Sequence, residues 1–347
     1  MNEMGRVLVY GANGHTGRFV VDELLRRGLT PVLSGRNAPA LEALAHEYGG
    51  LEWRSWSLAD GAPPSALDDI DAVVNCAGPF LDTALPVATA AVAAGAHYLD
   101  VTAEQAAVQA VYRELADPAR SAGVGVVPAM AFYGGLADLL ATVATDGSAH
   151  DSAPVDEITV AIALDRWWPT EGTRATGRRN TVRRLVVNDG RLAPLAEPAP
   201  ESTWRFPEPF GEQRMVGLPF SEVVTIARHL PVGALTSYLN TASLSHLRDP
   251  ATPAPVATDE SGRSAQRFAA EVVVRRGAQE RRIAASGRDI YAVTAPIVVE
   301  GVVRLLTGRT LTTGVAAPGE IFDAGEVLGV LAAGPLRIAV SDTPAVP

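Results

Sequence analysis

Along the first part of the chain, short apolar runs alternate with stretches in which apolar residues recur at helical spacing. Val7, Leu8, Val9 and Tyr10 form a run too short for a helix, closed by Gly11. Phe19, Val20, Leu24 and Leu25 then recur with helical period, predicting a helix over Arg18–Arg27 that stops at Gly28. The alternation continues with a strand at Pro31–Leu33, a helix over Ala38–Tyr48 and a strand near Leu51–Trp56. A loop with a short helical segment (Ala59–Asp69), a buried strand (Ala72–Val74) and a helix over Ala84–Ala94 follow. The strand His97–Thr102, the helix Gln105–Ala122 and the strand Gly125–Pro128 complete the series. Repeated βαβ units predict a Rossmann-type, doubly wound parallel sheet.

The texture changes further on. Ala129–Ala144 reads as a loop entering an apolar helix, and Val155–Leu164, Arg183–Val187, Phe268–Arg275 and Arg281–Ser286 read as strands, several of them alternating. They predict a mixed or antiparallel sheet in a second α+β domain. The Pro- and Ala-rich stretches Ala193–Pro200 and Asp249–Gly262 are expected to be mobile surface loops. Tyr291–Leu306 is an apolar helix with Pro296 in its first turns, and the C-terminal segment is expected to return to the first domain. The expected division is 1–130 for dinucleotide binding, 131–290 for substrate and dimerisation, and 291–347 for the helix and tail packing back.

Composition narrows the function. With 47% hydrophobic residues, 347 residues suffice for two well-filled cores. A net charge of −10 argues against a nucleic-acid partner, and no apolar run approaches the roughly 18 residues of a membrane span. The first strand begins almost at the N-terminus, so a cytoplasmic protein without a signal peptide is expected. Cys76 is the single cysteine, which excludes an intrachain disulfide and a multi-cysteine metal site; no metal is expected. All 29 basic residues are arginine. Without lysine there is no Schiff-base chemistry, no P-loop lysine and no Tyr-x-x-x-Lys pair to lower a tyrosine pKa.

The segment RVLVYGANGHTG places Gly11, Gly14 and Gly17 at three-residue spacing between the first strand and the first helix. Such a turn lets a pyrophosphate approach the backbone and lie on free helix N–H groups. Gly11, Asn13, Gly14, His15, Thr16 and Gly17 are therefore candidate phosphate binders. At the end of the second strand, where NAD-preferring folds carry an acid, the chain has Ser34, Arg36 and Asn37. A hydroxyl, a guanidinium and an amide suit a 2′-phosphate, which predicts NADP(H). Asn75, Ala77, Gly78, Pro79 and Phe80, beyond the fourth strand, are expected along the cofactor near its nicotinamide.

GANGHTGR, SGRN, VVNCAGPF and HYLDVTAE, in that order, resemble the saccharopine dehydrogenase-like NADP-binding family, which includes saccharopine reductases and trans-acting enoyl reductases. The chain departs from that family's pattern at Ala103, where glycine is usual. AMAFYGGLADLLATVA resembles the family's loop and helix joining the two domains, with Asp138 as the matching aspartate. YAVTAPIVVEGVVRLL and GVAAPGEIFD resemble its closing segments. The resemblance implies hydride transfer, and it is weakest between residues 165 and 265, where substrate choice is expected to reside.

Three residues are candidates for handling a proton: Tyr133 in the loop before two glycines, His97 at the start of a strand and Asp100 at its end. Glu104 lies beside them, and Thr102 with Glu104 also reads as a cap for the helix starting at Gln105. On the substrate side, Trp167 and Trp168 can wall an apolar pocket, Thr173 follows a glycine, and Arg174 can hold a carboxylate. The cluster Arg178, Arg179, Arg183 and Arg184 can meet a phosphate-bearing carrier or form a solvated face. The expectation is an NADPH-dependent reductase of a C=N, C=C or C=O bond in a small or carrier-bound metabolite, forming a homodimer. Its alternatives are a non-catalytic NADP(H) sensor and an NADP-retaining epimerase or isomerase.

Overall fold

The computed structural model describes residues 5–61, 64–145 and 155–344. The outer residues of the expected domains, positions 62–63 of the expected loop and positions 146–154 lie outside the described residues. In the first half, β1 (Arg6–Tyr10), α1 (His15–Arg26), β2 (Thr30–Gly35), α2 (Ala38–Glu47) and β3 (Trp53–Ser55) form one wing. The other wing holds β4 (Ala72–Asn75), α3 (Phe80–Ala93), β5 (His97–Asp100), α4 (Gln105–Ala122) and β6 (Gly125–Val127). Their strands pair in parallel in the order β6-β5-β4-β1-β2-β3. The order reverses between β1 and β4, which is where such a sheet opens its ligand crevice. α3 starts at Phe80 rather than Ala84, because two backbone N–H groups of its first turn are capped from a distant part of the chain.

The second half begins with α5 (Ala137–Ala144), β7 (Val155–Leu164), α6 (Glu171–Arg179), β8 (Leu185–Asn188), β9 (Arg191–Pro194), β10 (Glu201–Arg205) and β11 (Glu212–Gly217). It continues with α7 (Glu222–His229), β12 (Val232–Asn240), α8 (Thr241–Arg248), β13 (Arg267–Arg276), β14 (Gln279–Arg288) and α9 (Ile290–Leu306). The chain closes with β15 (Gly314–Val315), α10 (Pro318–Ile321), α11 (Ala324–Ala332) and β16 (Arg337–Pro344). The second sheet runs β10-β11-β12-β7-β13-β14-β16, with β8 on β12 and β9 on β8. It is mixed: β12 and β7 are parallel and the remaining pairs antiparallel.

The last segment divides between the sheets. α9 packs on α1, and β15 extends the first sheet beside β6. The tail strand β16 does not return there as expected; it pairs with β14 along eight positions at the edge of the second sheet. Part of the expected loop Ala193–Pro200 is likewise taken into β9.

Burial follows the pleat. Val7 and Val9 face one side of the first sheet and join a core that runs through α5, α7 and α9 onto the inner face of the second sheet. Leu8 and Tyr10 face the other side and pack under α3 and α4. Arg304, buried on α9, is neutralised by Glu300 at 2.8 Å and Glu326 at 2.8 Å, while Arg27 of α1 reaches Glu300 at 3.0 Å. Asp138, in the first turn of α5, accepts from His229 Nε2 at 2.8 Å and from the Gly319 N–H at 3.2 Å. It thereby ties together α5, α7 and α10. These links join the helices that share a core with the inner face of the second sheet.

Candidate active site

The β1–α1 turn has the geometry of an anion cradle. Gly11 adopts φ +86°, and a Cβ there would lie 2.9 Å from the Ala77 backbone nitrogen. At Gly17 a Cβ would lie 2.9 Å from Ala12 Cα and closer still to the Gly11 carbonyl oxygen. Both positions therefore exclude a side chain for packing reasons. At Gly14 a Cβ would stand 3.1 Å from the Gly11 oxygen, at the mouth of the turn. No side chain caps α1, and its first turn carries no acid. The helix N-terminus is thus left to an external anion, as phosphate binding requires.

Beside this cradle lies a cavity of about 390 Å³, which reaches across to the second half. Gly14, His15 and Thr16 line one end. Much of the lining is aromatic: Phe132, Tyr133, Trp167 and Phe220. The Tyr133 ring stands 4.2 Å from that of Phe220 and 5.9 Å from that of Trp167, centroid to centroid. α6 closes one side through Thr173 and Thr176.

The expected site residues divide sharply. Tyr133 lines the cavity, and its hydroxyl is buried without a hydrogen-bond partner among the described residues. Burial raises its pKa well above 10, so the phenol stays protonated. His15 Nε2 is likewise buried and unpartnered, and burial lowers its pKa, favouring the neutral ring. Asp100 lies outside the cavity lining: its Oδ1 accepts the N–H groups of Thr102 (3.0 Å) and Ala129 (2.8 Å), and its Oδ2 the Tyr98 hydroxyl (2.9 Å). That carboxyl stiffens the loop under the cavity. His97 sits at the opposite end of β5, where its Nδ1 accepts the Gly125 N–H at 2.9 Å. Its role there is to join two strands.

Glu104 does line the cavity, yet its carboxylate accepts from Phe80 N (2.8 Å) and Leu81 N (3.3 Å). It caps α3 rather than its own helix, while Thr102 Oγ1 accepts the Glu104 N–H. On the cofactor side, Gly78, Phe80 and Cys76 face the cavity. Ala77 fills the space above Gly11, and Pro79 precedes the first turn of α3. Asn75 is turned inward: its Nδ2 donates to Thr83 (3.2 Å) and Tyr98 (3.3 Å), and its Oδ1 accepts the Ala77 N–H. Ser34 does not present its hydroxyl either. Fully buried, it donates to the Arg54 carbonyl at 2.8 Å, while its own carbonyl holds the Gly11 and Ala12 N–H groups. Asn37 Oδ1 caps α2 at 3.2 Å. Arg36 and Asn13 remain exposed at the crevice rim.

On the substrate side only half of the expected set converges. Trp167 is buried in the wall and donates to the Tyr291 hydroxyl at 3.1 Å, and Thr173 meets the same hydroxyl at 2.9 Å. Trp168 does not line the cavity; the Arg166 guanidinium stacks on it at 5.1 Å. Arg174 donates to the Thr252 carbonyl at 2.7 Å and is absent from the lining. The arginine that enters is Arg184. Tyr291 and Phe220 were not singled out by sequence reasoning. Tyr291 stands at the first turn of α9 with its ring 5.3 Å from His15, so it links the glycine turn to α6.

Among the described residues no helix is long and apolar enough to cross a membrane, and no group of metal-ligating side chains gathers. Residues 7–127 match the family model described as the saccharopine dehydrogenase NADP binding domain. The chain is 30% identical over 146 residues to a lipid droplet localized protein of Caenorhabditis elegans, covering 38% of this chain and 34% of that one. It is 27% identical over 152 residues to a saccharopine dehydrogenase-like oxidoreductase of Bos taurus, covering 38% and 35%. It is 33% identical over 106 residues to a putative trans-acting enoyl reductase of Mycobacterium tuberculosis, covering 28% and 25%. Each match thus spans about a third or less of the relative's own length. In fold, the chain is similar to apo saccharopine dehydrogenase (L-Glu forming) of Saccharomyces cerevisiae, with a TM-score of 0.65 over 97% of this chain and 100% of that one at 13% identity. The uncapped glycine turn and the family-model match over residues 7–127 carry the same conclusion: this part of the chain is similar to the NADP binding domain of saccharopine dehydrogenases, and its cofactor is NADP(H).

Proposed function

We propose that this protein is an NADPH-dependent reductase that acts on a polarised double bond (C=C, C=N or C=O) of a largely apolar substrate. The observation that carries the reading is one cavity lined both by the phosphate cradle and by Phe132, Tyr133, Trp167 and Phe220. When bound, the cofactor supplies hydride; positioning and water exclusion fall to the chain. Gly14 and the first N–H groups of α1 hold the pyrophosphate, and Arg36 pairs with the 2′-phosphate at the exposed rim. The aromatic wall keeps water from the reacting bond and stacks on the substrate. The Tyr133 phenol, protonated and without a partner among the described residues, donates a hydrogen bond to the nitrogen or oxygen of a C=N or C=O bond, or to the carbonyl oxygen conjugated with a C=C bond. A phenol with so high a pKa releases its proton reluctantly, so this role is polarisation, with the final proton drawn from solvent.

The relatives that carry the name enoyl reductase favour C=C among the three bonds. The test is NADPH consumption against enoyl thioesters, cyclic imines and ketones by wild type and Tyr133→Phe. Turnover of one class, with kcat lowered by about 10²-fold in Tyr133→Phe and the NADPH Kd unchanged, supports the assignment. Equal kcat in both proteins removes Tyr133 from the chemistry. Absence of turnover with every class contradicts the reductase reading.

A further inference from the structure

Arg184 stands out among the charged groups of the cavity. It lies just before β8, and the backbone beside it is clamped from the nucleotide side. Gln105 Nε2 donates to the Leu185 carbonyl at 2.9 Å, and the Leu185 N–H returns to Gln105 Oε1 at 2.7 Å. The guanidinium rests on the Phe220 ring at 4.8 Å and donates to the Pro219 carbonyl at 2.5 Å. No carboxylate reaches ion-pair distance of it among the described residues. Its neighbours in charge are Glu222, Glu104 and Tyr133; Glu222 Oε2 is buried without a hydrogen-bond partner among the described residues, yet does not reach the guanidinium. Glu222 accepts the Phe220 N–H at 2.9 Å and is buried, Glu104 caps α3, and Tyr133 is a protonated phenol. A guanidinium has five N–H donors in a planar fork, and among the described residues only one of them has a protein acceptor.

Resting on the reductase reading above, we propose that Arg184 receives a single carboxylate of the substrate, so that the substrate class is an apolar monocarboxylic acid. Three features select that class. The walls are aromatic and aliphatic, which suits a hydrocarbon body. Among the described residues Arg184 is the only arginine lining the cavity, and the neutral form of His15 offers no second cation. Glu104 and Glu171, which also line it, are acidic and offer no anchor for a second carboxylate. Tyr133 and Arg184 both pack against Phe220, which places the carboxylate anchor and the hydrogen-bond donor beside one ring. Burial also presses the Arg184 pKa down, so an incoming anion relieves a cation that the protein leaves under-solvated.

The test is calorimetric titration of the NADP⁺-loaded protein with sodium octanoate and with octanamide, its neutral counterpart. Wild type is expected to bind octanoate at least tenfold more tightly than octanamide. Arg184→Met is expected to abolish the difference, and Arg184→Lys to keep part of it because the charge remains. Equal affinity for acid and amide in wild type, no binding of octanoate, or an undiminished acid preference in Arg184→Met each overturns the proposal. NADP⁺ binding is measured on the same samples. Its loss in wild type strikes the reductase reading, whereas intact NADP⁺ binding without acid preference strikes only this inference. Should Arg184→Met fail to bind NADP⁺, the Lys variant decides: an acid preference as large as that of wild type, or none, overturns the proposal.

Discussion

Gly17 is the position at which packing and cofactor binding are tied most tightly, and Gly17→Ala separates the two from an ordinary helix substitution. Alanine is normally the better helix former, so propensity alone predicts a gain. The structure predicts the reverse. The new methyl would lie 2.9 Å from Ala12 Cα, against an ordinary contact of 3.4–4 Å, and closer still to the Gly11 carbonyl oxygen. Both obstacles are backbone, so α1 has to move away from the turn. Overpacking of this kind costs about 1–3 kcal/mol. The movement also carries the helix N–H groups off the pyrophosphate. A charge-assisted hydrogen bond contributes ~1.5–3 kcal/mol. Weakening one of them by about 1.4 kcal/mol is tenfold in Kd. Gly17→Ala is therefore expected to lower the unfolding midpoint in denaturant and to weaken NADPH binding by at least tenfold. Gly14→Ala is the companion: its φ of −74° suits any residue and its Cβ would stand 3.1 Å from the Gly11 oxygen, so stability should fall less than in Gly17→Ala while a methyl at the mouth of the turn obstructs the phosphate. Denaturant titration and NADPH fluorescence titration of both variants read the two effects. A Gly17→Ala protein with wild-type stability and affinity refutes the reasoning.

Two further outcomes follow from the same geometry. Arg36→Ala is expected to weaken NADPH by tenfold or more and to leave NADH nearly unchanged, measured as Kd for both cofactors; equal losses place the arginine elsewhere. Asp100 is buried with its pKa raised from 3.8 to about 6, chiefly by desolvation, so the folded state holds its proton more tightly than the unfolded state. The stability it confers is therefore greatest at low pH and declines between about pH 4 and pH 6, by roughly 3 kcal/mol in all. Asp100→Asn should flatten that limb of the pH–stability curve; parallel curves for the two proteins contradict the assignment.

Local signals in the first half were strong because each element closes its own pattern. The run Val7–Tyr10, the glycine turn and the apolar stripe of α1 need only neighbours in sequence, and α4 was legible to the residue. The second half was read less well for identifiable reasons. α6 buries no residue and contains two glycines, so it has no apolar stripe; it is set by the Thr170 cap on the Thr173 N–H and by Arg179 reaching Asp82 at 2.8 Å. β12 mixes Thr236 and Ser237 among its apolar positions, yet it lies inside the sheet because β7, β8 and β11 all pair with it.

The site divided along the same line. Glycines that admit a phosphate act through the backbone and leave a mark in local spacing. Ser34 and Asn75 have the right chemistry at the right strand ends, but their side chains are bonded within the fold, and Asn37 uses its Oδ1 to cap α2. Glu104 caps a helix 24 positions earlier in the chain, a contact that no local spacing encodes. Among four closely spaced arginines, only the fold determines that Arg184 turns inward while Arg179 pairs with Asp82.

The central claim is that the β1–α1 turn and the cavity beside it form an NADP(H) site serving a reductase. Titration of the wild-type protein with NADPH and NADH, followed by nicotinamide fluorescence, tests it most directly. Saturable binding with NADPH at least tenfold tighter than NADH, and a blue-shifted emission from a nicotinamide enclosed by Tyr133 and Trp167, is the predicted result. Binding of neither cofactor, or equal affinity for both with emission like that of free NADPH, would contradict the account.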